Sequence, residues 1–357
     1  MKPGFTNSFK TIGLMSGTSL DGLDIVAAEF TKSDHKWHYK ILAAETVIYP
    51  EEWQSRLANA CNLPGKELME LHNEYGAMTG RLVSRFMKAN SFFPDLIASH
   101  GHTVFHQPSA GLSFQIGNGI FIAKETKTLT IADFRQGDVA LGGEGAPLVP
   151  AGDRLLFPEY TYCLNLGGFA NISFEKNRKR IAFDICPVNF VLNHLANKIG
   201  LQFDKNGELG SRGKADKNLV CSLNQIEYYR QPPPKSLGRE WAEQFFIPLL
   251  SASQISIHDK MRSVYEHIAM QTGKVIEEVD ASVLITGGGA YNKFLIDSLG
   301  QFTKARLIIP DDKLLKFKEA LVFAFLGLLR YFGEINCYSS VTGAEHDTSA
   351  GVIFYPW

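Results

Sequence analysis

Near the N-terminus, two apolar runs flank Gly13-Leu14-Met15-Ser16-Gly17-Thr18-Ser19-Leu20-Asp21-Gly22-Leu23-Asp24. Thr11 to Met15 reads as one strand and Leu23 to Phe30 as a second, so the small residues between them form a hairpin tip. Gly17 and Gly22 there are free to take positive φ. Such a tip leaves backbone N–H groups unpartnered. Thr18 and Ser19 add hydroxyl donors, and Asp21 and Asp24 can face a cation. N–H groups, hydroxyls and a carboxylate in one concavity suit a phosphate paired with magnesium. The plainer alternative is a tight hairpin whose polar residues only satisfy its own turn.

Four further segments carry chemistry. Asn165-Leu166-Gly167-Gly168-Phe169-Ala170-Asn171 ends one strand and begins another, as the first hairpin does. Thr286-Gly287-Gly288-Gly289-Ala290-Tyr291-Asn292 lies between a strand and a helix, where bare backbone and a helix N-terminus can receive a ribose or a flat ring. Asp184 closes a strand just before Pro187 and Asn189, either as a helix cap or as a carboxylate aimed into a cleft. His100, His102 and His106 share one face if their strand is continuous; with no cysteine nearby, a metal site is the weaker reading. The chain lacks G-x-x-x-x-G-K-[ST], a G-x-G-x-x-G opening a helix, H-E-x-x-H and G-x-S-x-G. P-loop, Rossmann, zincin and α/β-hydrolase readings lose support accordingly.

Together these segments resemble the anhydro-N-acetylmuramic acid kinases, sugar kinases of the actin, Hsp70 and hexokinase superfamily. The first hairpin is similar to their first phosphate hairpin, Asn165–Asn171 to the second, and Gly287-Gly288-Gly289 to the adenosine motif. Ser99-His100-Gly101-His102-Thr103-Val104-Phe105-His106-Gln107-Pro108 is similar to a segment that lies near the sugar in the family. So are further stretches: Gln115–Gly119, Ala132–Arg135, Gly142–Pro150, Pro234–Glu240, Lys318–Ala320 and Ser340–Ala344. Around Asp184 the chain keeps Asp184, Pro187 and Asn189 but has Ile185, Cys186 and Val188 where the family has Thr, Gly and Gly, and Asn165 stands where many superfamily members have Asp.

The resemblance implies transfer of the γ-phosphate of ATP, with Mg2+, to O6 of 1,6-anhydro-N-acetylmuramic acid, coupled to opening of the internal ether by water. The implied product is N-acetylmuramic acid 6-phosphate, made in cell-wall recycling. Because O6 is captured by phosphorus, a single base for water suffices, where glycoside hydrolysis by inversion otherwise needs an acid as well. The implied base is Asp184, assisted by Glu319. The implied nucleotide contacts are Gly17, Thr18, Ser19, Leu20, Asp21, Gly22, Leu23, Asp24, Gly167, Gly168, Gly287, Gly288 and Gly289, with Asp21 on the metal. His100, His102, Thr103, Arg135 and Asn189 are the implied sugar contacts, Arg135 by charge complementarity to the lactyl carboxylate. A homodimer and a cytoplasmic location are also implied. A kinase of another amino sugar without ring opening, a partner-driven actin-like ATPase, and an ATP-independent glycosidase remain alternatives.

The elements that must hold these residues alternate between strand and helix, so the class is α/β. Lys36–Tyr49, Leu96–Ser99, Thr128–Ile131, Tyr162–Leu166, Ala170–Phe174, Arg180–Asp184 and Ser282–Thr286 read as strands. Lys66–Lys88 carries Leu68, Leu71, Tyr75, Met78, Leu82 and Phe86 at helical spacing. Further helices are expected from Pro187 to Lys198, Arg239 to Leu250, Asp259 to Thr272 and Lys318 to Tyr331. The glycine- and proline-rich stretch Asp133–Pro150 suggests a loop or hinge at a domain border. The expected organisation is a two-domain actin-like ATPase (ribonuclease H-like) fold with an interdomain nucleotide cleft. Its first domain takes 1–132 plus 335–357 and its second 133–334.

Composition agrees. The chain has 357 residues, 45% hydrophobic and 20% charged, enough for two cores, and a net charge of −1 that argues against nucleic acid and against a membrane surface. Five scattered cysteines, with no C-x-x-C, fit reduced thiols rather than disulfides or zinc.

Overall fold

The structure, a computed structural model, describes residues 8–17 and 20–357. The chain divides into two compact units, Met1–Phe157 with Phe317–Trp357, and Pro158–Lys316. The sequence placed the borders at 132/133 and 334/335; they lie instead at 157/158 and 316/317. The difference has a physical cause. Asp133–Pro150 is no hinge but an integral part of the first unit, and includes the helical turn Gln136–Ala140. Asp138, fully buried, accepts hydrogen bonds from the Gly145 N–H (2.8 Å), Thr342 Oγ1 (2.7 Å) and Cys337 Sγ (3.0 Å). That carboxylate stitches the glycine-rich segment to the C-terminal stretch.

In the first unit, β1 (Ser8–Ser16), β2 (Gly22–Ser33) and β3 (Lys36–Ile48) form an antiparallel meander, and β4 (Leu96–Ser99) pairs parallel to β1. A separate hairpin, β5 (His102–Gln107) with β6 (Leu112–Ile116), follows. β7 (Thr130–Ala132) pairs parallel to β4, and the sheet runs β13-β7-β4-β1-β2-β3, with β13 (Val352–Phe354) at its edge. Helix Gly65–Ala89 buries Leu68, Leu71, Tyr75 and Phe86 against one face, with Met78 and Leu82 partly buried beside them. The apolar helix Asp312–Phe332 lies so close to β1 that a Cβ on Gly13 would sit 1.9 Å from the Ala320 carbonyl oxygen. Only glycine allows that approach.

In the second unit, β8 (Tyr162–Leu166), β9 (Phe169–Lys176) and β10 (Lys179–Pro187) form a second antiparallel meander. β11 (Ser282–Thr286) pairs parallel to β8, and β12 (Arg306–Ile308) parallel to β11, giving the order β10-β9-β8-β11-β12. Pro187 ends β10 rather than opening the next helix, which spans Asn189–Asn197. The core is built from Leu164, Ile185, Val188, Val191, Ile268 and Ile285, among others.

Both units therefore repeat one plan, a meander of three antiparallel strands followed by two parallel strands added beside the first. That is the ribonuclease H-like order, duplicated as in actin-like ATPases, in line with the expected fold class. No helix among the described residues is long and apolar enough to cross a membrane.

Candidate active site

The first hairpin stands as expected at the end of β1, although Thr18 and Ser19 lie outside the described residues. Leu20, not Gly22, carries the left-handed backbone (φ 60°). Gly22 has a different reason to be glycine, since a Cβ would lie 2.6 Å from the Val47 carbonyl oxygen of β3. Leu23 is buried in the core, where its side chain packs the strand. Asp21 is exposed, and Asp24 is half-buried, its Oδ1 accepting from Thr46 Oγ1 (2.5 Å). Burial raises the Asp24 carboxyl above the usual range, the Thr46 bond opposes this, and the Asp21 charge raises it further. Two carboxylates that repel each other beside the hairpin tip offer the hard oxygens that suit magnesium. Among the described residues no group of three or more His, Cys, Asp or Glu could hold a metal ion by itself.

β1 also anchors the histidine segment. Gly101 (φ 76°) breaks the chain between β4 and β5, so the three histidines do not share one continuous strand. His102 Nδ1 lies 3.2 Å from Ser16 Oγ, which accepts from the Tyr49 hydroxyl (3.0 Å); Tyr49 in turn meets Tyr75 (2.6 Å). His100 is occupied at both nitrogens. Its Nδ1 donates to the Gly101 carbonyl (2.9 Å), and its Nε2 accepts from Arg135 Nε (3.0 Å) and Nη2 (2.8 Å). A carbonyl can only accept, so the tautomer is set. Burial and the facing guanidinium hold His100 neutral, well below its ordinary pKa. His100 thus orients Arg135 rather than offering a sugar a free nitrogen. His106 pairs with Ser113 (3.1 Å), and Thr103 sits on β5 opposite Gln115.

Arg135 Nη1 donates to the Gly145 carbonyl (2.7 Å). Burial pushes its pKa down to about 10, while Glu319 pulls the other way. Glu319 is open to solvent yet densely surrounded. Desolvation holds its carboxyl above the usual range, outweighing the attraction of Lys318 and Arg135. The close packing of Ala320 on Gly13 sets this carboxylate near β1. Lys318, on the buried side of the same helix, pairs with Asp153 at 2.7 Å.

In the second unit the two glycine turns converge. The parallel register of β8 and β11 places Thr286 beside Asn165. A Cβ on Gly287 would lie 2.5 Å from Asn165 Oδ1, and one on Gly289 2.7 Å from the Leu166 Cβ. Gly287 is left-handed (φ 83°). By contrast, a Cβ on Gly288 would meet only Asn189 Nδ2 at 3.8 Å, and one on Gly168 only the Phe190 Cβ at 4.0 Å. Gly288 and Gly168 are exposed, so bare backbone faces open space there, a cradle that side chains would fill and that fits the phosphates and ribose of a nucleotide. Asn189 donates twice, its Nδ2 to the Leu166 carbonyl (3.1 Å) and its backbone N–H to the Gly167 carbonyl (3.3 Å). Its amide buttresses the turn.

Asp184 sits at the bulge of β10, where the register with β9 shifts. Its Oδ2 accepts from the Leu237 N–H (2.8 Å), and among the described residues Oδ1 has no hydrogen-bond partner. Burial pushes its carboxyl up to about 6, opposed by the Leu237 bond. The flanking Ile185, Cys186 and Val188, which depart from the family pattern, are buried core side chains. Sequence reasoning gave no individual role to Tyr228 and Lys235, which flank Asp184, or to Asp138 and Ser16. The run of three prolines before Lys235 was the available signal for an extended segment held against something.

The whole chain can be placed by comparison. The family model for anhydro-N-acetylmuramic acid kinase matches residues 9–356. The kinase of that name from Vibrio cholerae is 33% identical over 369 aligned positions, covering 97% of this chain and 98% of the relative. The one from Gloeobacter violaceus is 32% identical, covering 95% and 97%. Among solved structures, component A of (R)-2-hydroxyglutaryl-CoA dehydratase from Acidaminococcus fermentans covers 88% of this chain at 14% identity, with a TM-score of 0.45. The family match takes in the first hairpin, the histidine segment, Asp184, the triple glycine and Glu319 in one unbroken span. This chain belongs to the anhydro-N-acetylmuramic acid kinase family of phosphotransferases.

Proposed function

We propose that this protein phosphorylates 1,6-anhydro-N-acetylmuramic acid at O6 with ATP and opens the anhydro bridge in the same reaction, giving N-acetylmuramic acid 6-phosphate and ADP. The observation that carries the ring-opening half is Asp184: one carboxylate oxygen anchored by a backbone N–H, the other without a partner among the described residues, and a pKa near 6. A base of that strength is ionised at neutral pH and still accepts a proton from water in the transition state. Water adds to C1, its proton passes to Asp184, and the C1–O6 bond breaks. O6 then holds the electron pair with which it attacks the γ-phosphorus, and ADP leaves.

The first unit is assigned the phosphate hairpin, with Asp21 and Asp24 as the residues that would hold magnesium. That ion neutralises charge on the phosphates when bound. Arg135 and Glu319 are assigned to the sugar and its water, with His100 holding Arg135 in place. The second unit is assigned the nucleotide cradle of Gly167, Gly168 and Gly287–Gly289, with Asn189 as its support, in addition to the base.

The test is mass spectrometry of the product made from the anhydro sugar, ATP and magnesium in 18O-labelled water. One added phosphate together with label at C1 is expected. A phosphorylated sugar that keeps its anhydro bridge would leave the kinase and refute the ring opening. In Asp184→Asn, turnover is expected to fall by several orders of magnitude, and near-normal turnover would remove Asp184 from the role.

A further inference from the structure

The segment Glu227–Gly238 holds Asp184 at three separate points. β10 is an edge strand of its sheet, so its outer backbone groups need partners from elsewhere. The Asp184 N–H donates to the Lys235 carbonyl (3.2 Å). The Asp184 carbonyl, on the same outer edge, accepts from the Tyr228 hydroxyl (2.6 Å). The carboxylate accepts from the Leu237 N–H (2.8 Å).

The segment is itself locked by Lys235. The ammonium donates to the Tyr228 carbonyl (3.1 Å) and lies over the rings of Tyr228 (4.6 Å) and Phe183 (5.6 Å). Tyr228 is buried, and its ring packs on Trp241 (5.2 Å). Phe183 is the residue before Asp184, so one ammonium clamps the strand and the segment together.

We propose that Tyr228 and Lys235 are positioning residues for Asp184: together they fix the strap whose Leu237 N–H aims and steadies the carboxylate. The inference rests on the reading of Asp184 as the base. Neither side chain is assigned a contact with substrate. The ionisable groups facing Asp184 are Tyr228 and Cys186, with the Lys235 ammonium over the Tyr228 ring; burial keeps Tyr228 and Cys186 protonated at neutral pH. The Leu237 bond is the contact that favours the ionised carboxylate.

The experiment uses the full-length protein with ATP, magnesium and the anhydro sugar, and compares Tyr228→Phe, Lys235→Met and Lys235→Arg with wild type. Losing one aiming contact should cost about tenfold in kcat, leaving KM for ATP unchanged. The acid limb of the kcat profile should move to higher pH in both Tyr228→Phe and Lys235→Met, because a loosened Leu237 bond no longer favours the ionised carboxylate. Lys235→Arg should recover most of the loss, and the double variant should lose little more than either single one, since both act through one strap. If Lys235→Met shifts the limb and Tyr228→Phe does not, the lysine acts through its charge alone and the strap is refuted. An unmoved limb in both variants, or full kcat in Tyr228→Phe, also overturns the proposal. Asp184→Asn is the control: if it stays active, the reading of the base has failed rather than the strap.

Discussion

Lys318 offers a sharp test of how the first unit is held together beneath Glu319. Its ammonium is 2.7 Å from Asp153 Oδ1, with both side chains only 5–6% exposed, and it also lies 5.4 Å from the Phe157 ring centre. Lys318→Met keeps the apolar stem and removes the charge, leaving the Asp153 carboxylate buried without its cation. Breaking a buried pair from one side costs about 3–5 kcal/mol. For a unit of this size that corresponds to a fall of roughly 6–20 °C in its unfolding midpoint. Adding Asp153→Leu should return most of the loss, because burying two apolar groups of similar volume is close to neutral. Removing the ammonium also takes away the stronger of the two attractions that restrain the Glu319 pKa, so Glu319 should titrate at still higher pH in the single variant. Calorimetry of the full chain at pH 7 checks the ledger. A single variant within about 1 kcal/mol of wild type, or a double variant less stable than the single, would refute the reasoning.

Asp184 should also reveal itself through stability. Its carboxyl titrates near 6 when folded against an ordinary 3.8, so the folded state binds the proton more tightly. The resulting stabilisation is complete below pH 3.8 and is lost as pH rises to 6. Asp184→Asn should therefore be more stable than wild type at pH 7 by about 3 kcal/mol. That gain should vanish near pH 4 in urea titrations, and an equal difference at pH 4 and pH 7 would count against the burial argument. Neighbouring glycines should separate binding from packing. Gly288→Ala meets open space and should leave the unfolding midpoint unchanged while raising KM for ATP. Gly289→Ala, driven against Leu166, should cost about 1–3 kcal/mol in stability. Equal stability loss in the two variants would contradict the cradle.

The sheet plan was legible because its signals are local. β1, β2 and β3 announce themselves by apolar runs broken at small residues, and Tyr162–Leu166 and Ser282–Thr286 by short buried runs before glycines. Each was expected within a few residues of where it lies. The unit borders were not legible, since glycine and proline mark turns equally well inside a unit and between units. Asp133–Pro150 reads as a hinge until Asp138 is seen to bind Thr342 and Cys337, partners some two hundred positions away in sequence. The role of Gly22 was misread for a related reason. A glycine required by the neighbouring strand's carbonyl looks, in sequence, like one required by the turn.

The residues of the candidate site divide along the same line. Asp184 and the triple glycine are visible because chemistry and turn geometry both demand them at a strand end. His100 was visible as well, but as a group reaching outward. The structure shows both its nitrogens spent, one on its neighbour's carbonyl and one on Arg135. Its value lies in holding a guanidinium, which no spacing rule encodes. Lys235 is the strongest case. In sequence it is one cation after a proline run, indistinguishable from a solvated lysine; in the fold it bridges two aromatic rings and a carbonyl behind Asp184. A carboxylate acting as a base needs to be both ionisable and aimed. Residue type announces the first property, whereas the second, in the role proposed for Asp184, falls to Tyr228, Lys235 and Leu237, between 44 and 53 positions away along the chain.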